Sequence, residues 1–124
     1  MDAATVYENI RALSDDFATE RRERQQRNGL VAADFARLHE AGYLLTGAPV
    51  DHGGVWESVS ASTRPICEML RTLAHSDSSV ALVCAMHPAV LNFWMAIAQA
   101  PAPFHKAWDD QRRSIFRNVG EGAW

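Results

Sequence analysis

Two cysteines, Cys67 and Cys84, are all that 124 residues contain, with no C-x-x-C spacing. That excludes a disulfide framework and a zinc-ribbon site, and predicts two reduced packing residues on the apolar faces of helices. Lysine is scarcer still: Lys106 is the only one, and a net charge of -3 with pI near 5.9 argues against a nucleic-acid or anionic-membrane partner. The N-terminal stretch lacks the basic and apolar regions of a signal peptide, so a cytoplasmic address is expected. No Walker, G-x-S-x-G or G-x-G-x-x-G motif occurs, and no segment alternates apolar and polar residues as a half-buried strand does. The histidines His39, His52, His75, His87 and His105 are scattered, so no metal site is expected. Asp15-Asp16 and Asp109-Asp110 are sequence neighbours whose side chains diverge on a helix, which disqualifies them as acid/base pairs.

What is present is helical pattern. With 48% hydrophobic and 22% charged residues, the chain has the composition of one globular domain. Val6, Ile10, Leu13 and Phe17 place one apolar stripe on a first helix running from Ala3 to about Arg27. Its second half carries Arg21, Arg22, Arg24 and Arg27 interleaved with Glu20 and Glu23, the pattern of a solvated face with local ion pairs. Asn28-Gly29 predicts a left-handed cap, and a second helix through Phe35 and Leu38 stops at Gly42. A structured loop over 43–58, with Gly53-Gly54, leads to a third helix over about 58–75, in which Pro65 marks either the first turn or a kink. Ser76, Asp77 and Ser78 form an N-cap cluster before a fourth helix over 79–99, and Pro103 opens a fifth through Phe104, Trp108, Ile115 and Val119. The expected fold is an all-α bundle of about five helices around a buried central helix near 79–99.

That fourth helix is the unusual one. From Val80 to Ala98 it contains no Asp, Glu, Lys or Arg, long enough to span a bilayer. His87, Pro88 and Asn92 at mid-length and the lack of flanking basic clusters favour burial in protein instead. Pro88 has no N–H for the carbonyl of Cys84, which therefore needs another partner, and such irregular turns often border a pocket. His87 shares a face with Leu91, while Asn92 lies about 100° further round.

Three stretches, "LVAADFARLHEAGYLL", "APVDHGG" and "CEMLRTLAHSDSSVALVCAMH" with Ala74, Asp77 and Ser79, together resemble the N-terminal helical domain of the acyl-CoA dehydrogenase superfamily. The sequence departs from the family pattern at Val50, Asp51 and His52 and at Pro88. The resemblance implies that residues 1–120 are that domain and that 121–124 begin a β domain. It implies an FAD-dependent oxidoreductase completed by β and C-terminal helical domains, assembled as a homo-oligomer and acting on an acyl-CoA or other apolar substrate. The family's catalytic glutamate lies in the later bundle and has no counterpart here. His87 then becomes a pocket-lining residue and a candidate catalytic one, as in a flavin monooxygenase branch, with Asn92, Gly53 and Gly54 as further pocket or interdomain contacts. By this resemblance the isolated chain is inactive and binds little or no FAD, and exposes Trp124 and Trp56. The alternative is a stand-alone helical ligand-binding or scaffold protein without redox activity.

Overall fold

A computed structural model describes residues 1–96 and 100–124 and shows an all-α bundle. Six α-helices follow in order: α1 (Ala3–Thr19), α2 (Arg21–Gln25), α3 (Ala32–Glu40), α4 (Val59–Ser76), α5 (Ser78–Ala96) and α6 (His105–Gly120). Two 3-10 turns, η1 (Tyr43–Gly47) and η2 (Val50–His52), connect α3 to α4. Among the described residues the only β pairing is an isolated bridge between Pro49 and Trp56. Asp2 caps α1 by accepting from Thr5 N at 2.8 Å, and Ser58 caps α4 by accepting from Ala61 N at 3.2 Å. Since α4 starts at Val59, Pro65 sits in its interior rather than in its first turn.

The core is built where the apolar stripes meet. Val6, Ile10, Leu13 and Phe17 of α1 pack on Met69 and Leu73 of α4 and on Val80, Ala81 and Cys84 of α5. A second, smaller cluster joins Leu44 and Ala48 to Leu91 of α5 and to Phe116 and Val119 of α6. Between α1 and α4 the buried Ser14 hydroxyl lies 2.8 Å from Thr72 O and 2.9 Å from Ser76 Oγ, and Ser76 Oγ donates to Leu73 O at 3.0 Å. These bonds satisfy polar groups that the helix contact would otherwise strand.

Four expectations need correction. The first helix does not run to Arg27: it breaks at Glu20, and Arg24 of α2 turns inward. Arg24 is not on a solvated face. Its side chain pairs with both oxygens of Asp34 at 3.0 and 2.8 Å, with Asp77 at 2.8 Å and with Glu20 at 3.2 Å, while its guanidinium lies 3.6 Å from the Phe17 ring centroid. Asp77 in turn accepts from Ser79 N and Val80 N, both at 3.0 Å. One arginine thus fixes the N-cap of α5 to α2 and α3, a task that an inward fork of donors performs and a solvated one does not. Second, positive φ occurs at Gly42 and not at Gly29, so of these two expected left-handed caps only the one at Gly42 forms. Third, Cys84 is buried but Cys67 is exposed.

Fourth, α5 is not enclosed. Val80, Ala81, Cys84, His87, Pro88 and Leu91 face inward, while Leu82, Met86, Val90 and Phe93 form an outward stripe, each more than half exposed. The helix is uncharged on both faces, so composition gave no sign of which side the bundle would cover. The part of the predicted helix over 97–99 lies outside the described residues. The last helix begins at His105, and Phe104 is exposed.

Replacing Arg24 with Met leaves Asp34 and Asp77 without their buried cation. Breaking such a group one-sidedly is expected to cost about 3–5 kcal/mol of stability. Urea denaturation checks this, and a loss below about 1 kcal/mol, the value of an exposed pair, would place Arg24 back on the surface.

Candidate functional site

Pro88 leaves the carbonyl of Cys84 without its helical donor, and the structure supplies one from outside the helix: the Tyr43 hydroxyl of η1 donates to Cys84 O at 2.8 Å. Tyr43 is fully buried, and burial pushes its phenol well above the ordinary range, so it stays a donor at every working pH. Burial likewise pushes the Cys84 thiol up to about 12, which makes it an inert packing group. One residue beyond Tyr43 in η1, Leu44 O lies 2.9 Å from His87 Nε2. A carbonyl only accepts, so Nε2 carries the hydrogen and Nδ1 keeps its lone pair. Two consecutive residues of η1 therefore hold two positions of α5 around its proline.

The approach is close. A Cβ on Gly47 would meet the Leu91 Cδ1 methyl and lie 3.1 Å from His87 Nε2, so a larger residue where η1 crosses α5 requires the Leu91 side chain to move aside.

On the other side of His87 an open groove of about 510 Å³ runs between α5 and α6. Met86, Val90, Leu91 and Trp94 line it from α5, Ile115 and Val119 from α6. Trp124 borders one end, its ring stacked on Tyr43 at 6.2 Å and tilted 5.5 Å from His87. Trp94 stacks on Trp108 at 4.7 Å towards the other. The lining is apolar apart from His87, Asn118 and the indole N–H groups, and no Lys or Arg contributes to it. His87 itself is 8% exposed, and its pKa is lowered because burial disfavours the cation, the Leu44 bond opposing this in part. Its ring neighbours Tyr43 and Trp124, with Leu44 and Gly47 of η1, bring no formal charge to it at neutral pH.

Of the four candidate site residues His87, Asn92, Gly53 and Gly54, the structure brings only His87 to this groove. Asn92 is half-buried outside the lining. Gly53 is the left-handed residue that ends η2, at φ 81°, and Gly54 is buried where a Cβ would run into the Ala48 carbonyl. Both glycines shape the loop and neither reaches the groove. Trp56 is partly buried and Trp124 remains half exposed while packing on Tyr43. Residues 121–124 form a turn that carries Trp124 back over the bundle. Tyr43, Gly47 and the groove walls from Met86 to Trp94 escaped the sequence reading. Tyr43 had one legible signal, the need of the Cys84 carbonyl for a donor from a residue distant in sequence.

FAD, the cofactor that the family resemblance implies, fits these residues only in part. Its ring system or an acyl tail suits an apolar trough of this size, but its diphosphate needs cations or clustered N–H donors, and the lining offers neither. Among the described residues no group of three or more His, Cys, Asp or Glu side chains could hold a metal ion. No protein-family model, curated protein or solved structure matches the chain.

Two predictions follow from this geometry. Tyr43→Phe strands the Cys84 carbonyl and is expected to cost about 1–3 kcal/mol, whereas in a Pro88→Ala background the restored N–H reduces that cost; equal costs in a double-mutant cycle would contradict the pairing. For His87 the folded pKa lies below the unfolded value of about 6.5, so its contribution is complete above that pH and is lost as pH falls through it. Urea midpoints should therefore drop on acidification more steeply in the native chain than in His87→Gln, and parallel pH profiles would exclude the assignment.

Proposed function

We propose that this chain is a helical domain that takes an apolar small molecule along α5, in the manner of the N-terminal domain of an acyl-CoA dehydrogenase-like flavoprotein. The observation that carries the proposal is the uncharged groove between α5 and α6, walled by long apolar and indole side chains with one buried histidine at its base. Binding sites for small molecules are typically of this kind, a mostly apolar concavity with few polar groups. The outward stripe of Leu82, Met86, Val90 and Phe93 supports a role in packing against further domains or subunits, since a contiguous exposed apolar face on a soluble domain is usually covered by a partner. In this reading the domain supplies the apolar wall of a substrate pocket and FAD, which carries the redox chemistry when bound, has its diphosphate held by other elements. His87 orients the substrate and is assigned no proton transfer. A cytoplasmic setting goes with it. Although α5 is the one helix among the described residues long and apolar enough to cross a membrane, its inner face packs on protein.

A second reading, a helical ligand-binding protein without redox activity, is favoured by one feature. The groove is bordered on both sides and at the Trp124 end by this chain's own residues, so it needs no other domain to form.

Naphthalene, an uncharged probe of suitable width, is expected to bind the purified chain saturably, with methyl and indole NMR shifts confined to Met86, Leu91, Trp94, Val119 and Trp124. Val90→Trp, a change at an exposed wall position, should fill the groove and abolish the effect while leaving the thermal melt in place. Absence of saturable binding, or shifts scattered over the surface, would refute the groove as a ligand site. FAD alone is expected to bind weakly, and tight binding with a shifted flavin spectrum would overturn the placement of its diphosphate outside these residues.

A further inference from the structure

The chemical class of the ligand follows from which nitrogen of His87 is already engaged. Its Nε2–H is committed to Leu44 O at 2.9 Å, and the edge formed by Nε2 and Cδ2 faces η1, since a Cβ on Gly47 would lie 3.1 and 3.3 Å from those two atoms. In a five-membered ring the vertex opposite the Cδ2–Nε2 edge is Nδ1, so Nδ1 points away from η1. No residue of η1 lines the groove, whereas His87 does. Nδ1 is therefore a lone-pair acceptor on the groove side of a ring that is more than nine-tenths buried, and none of the described residues donates a hydrogen bond to it.

We propose that the groove selects neutral aromatic molecules bearing a hydroxyl or N–H group, which donates to His87 Nδ1, over both plain hydrocarbons and carboxylates. The proposal deepens the reading of the groove as a ligand site and rests on it. An acceptor that stays unpaired beneath a hydrocarbon loses water without compensation, so a donor on the ligand gains relative to its absence. A carboxylate brings only acceptors. It would meet the Nδ1 lone pair in a trough with no Lys or Arg to receive it, and would give up its hydration without a partner. The aromatic preference comes from the walls: Trp94 and Trp124, each already stacked on a second aromatic ring, line the groove.

The test compares 2-naphthol, naphthalene and 2-naphthoate, three probes of one shape, by titration at neutral pH into the native chain and His87→Gln. The native chain is expected to bind 2-naphthol about tenfold more tightly than naphthalene, the effect of one net hydrogen bond, with 2-naphthoate weakest. In His87→Gln the amide N–H can still reach Leu44 O while no acceptor occupies the Nδ1 position. There 2-naphthol should lose its advantage and bind no more tightly than naphthalene does to the same variant. A parallel measurement does not depend on that variant folding: in the native chain the His87 Nδ1 nitrogen resonance should move with 2-naphthol and stay in place with naphthalene. Equal affinity for 2-naphthol and naphthalene, strongest binding of 2-naphthoate, or an unmoved Nδ1 resonance would overturn the selection by a donor while leaving the groove a ligand site. Failure of naphthalene itself to bind would instead remove the ligand site on which the proposal stands.

Discussion

The structure turns on how α5 is held at its proline. A helix that loses an N–H at Pro88 must find another donor for Cys84 O, and the Tyr43 hydroxyl provides it across 41 residues of sequence. The adjacent bond from His87 to Leu44 O fixes the same crossing a second time. Buried polar pairs of this sort contribute modestly as net stabilisation but are costly to leave unmade, so together they specify where η1 and α5 meet more sharply than apolar contact alone would. Once the crossing is set, Leu91 rests on Gly47 and the opposite side of His87 opens on the groove.

The other end of α5 is specified by charge. Arg24 converges with Asp34, Asp77 and Glu20, and Asp77 simultaneously caps the helix. An apolar helix with no charged residue between Val80 and Ala96 could slide or rotate against apolar neighbours with little penalty. The ion-paired cap at its start and the proline bonds at its middle remove both freedoms. Its outward stripe is left uncovered by these constraints, which is why the helix is not the enclosed axis of the bundle but a half-covered wall.

Much of the architecture was legible in sequence because it is local. The stripe of Val6, Ile10, Leu13 and Phe17 and the cap at Asp77 are short-range patterns, and they map onto α1 and α5. What escaped is the long-range part. Nothing in "ERRERQQR" distinguishes Arg24, which is buried, from Arg22, which is exposed, because the difference is made by Asp34 and Asp77 on other helices. Periodicity was silent on α5 for a related reason: a helix apolar all round gives no preferred face. The site shows the same division. His87 stood out as a titratable group beside a proline, whereas Gly53 and Gly54 attracted notice as permissive residues and prove to shape the turn after η2. Tyr43 lay in a loop with no periodic signal, and its role exists only in three dimensions.

The tautomer of His87 is the point at which fold and site depend on the same atoms. A long-range proton–nitrogen correlation spectrum of the ligand-free chain at neutral pH reads it directly. The account predicts a protonated Nε2 and an unprotonated Nδ1 in slow or no exchange. A ring protonated at Nδ1, or one averaging between both forms as in free solution, would contradict the crossing of α5 by η1 and, with it, the acceptor that faces the groove.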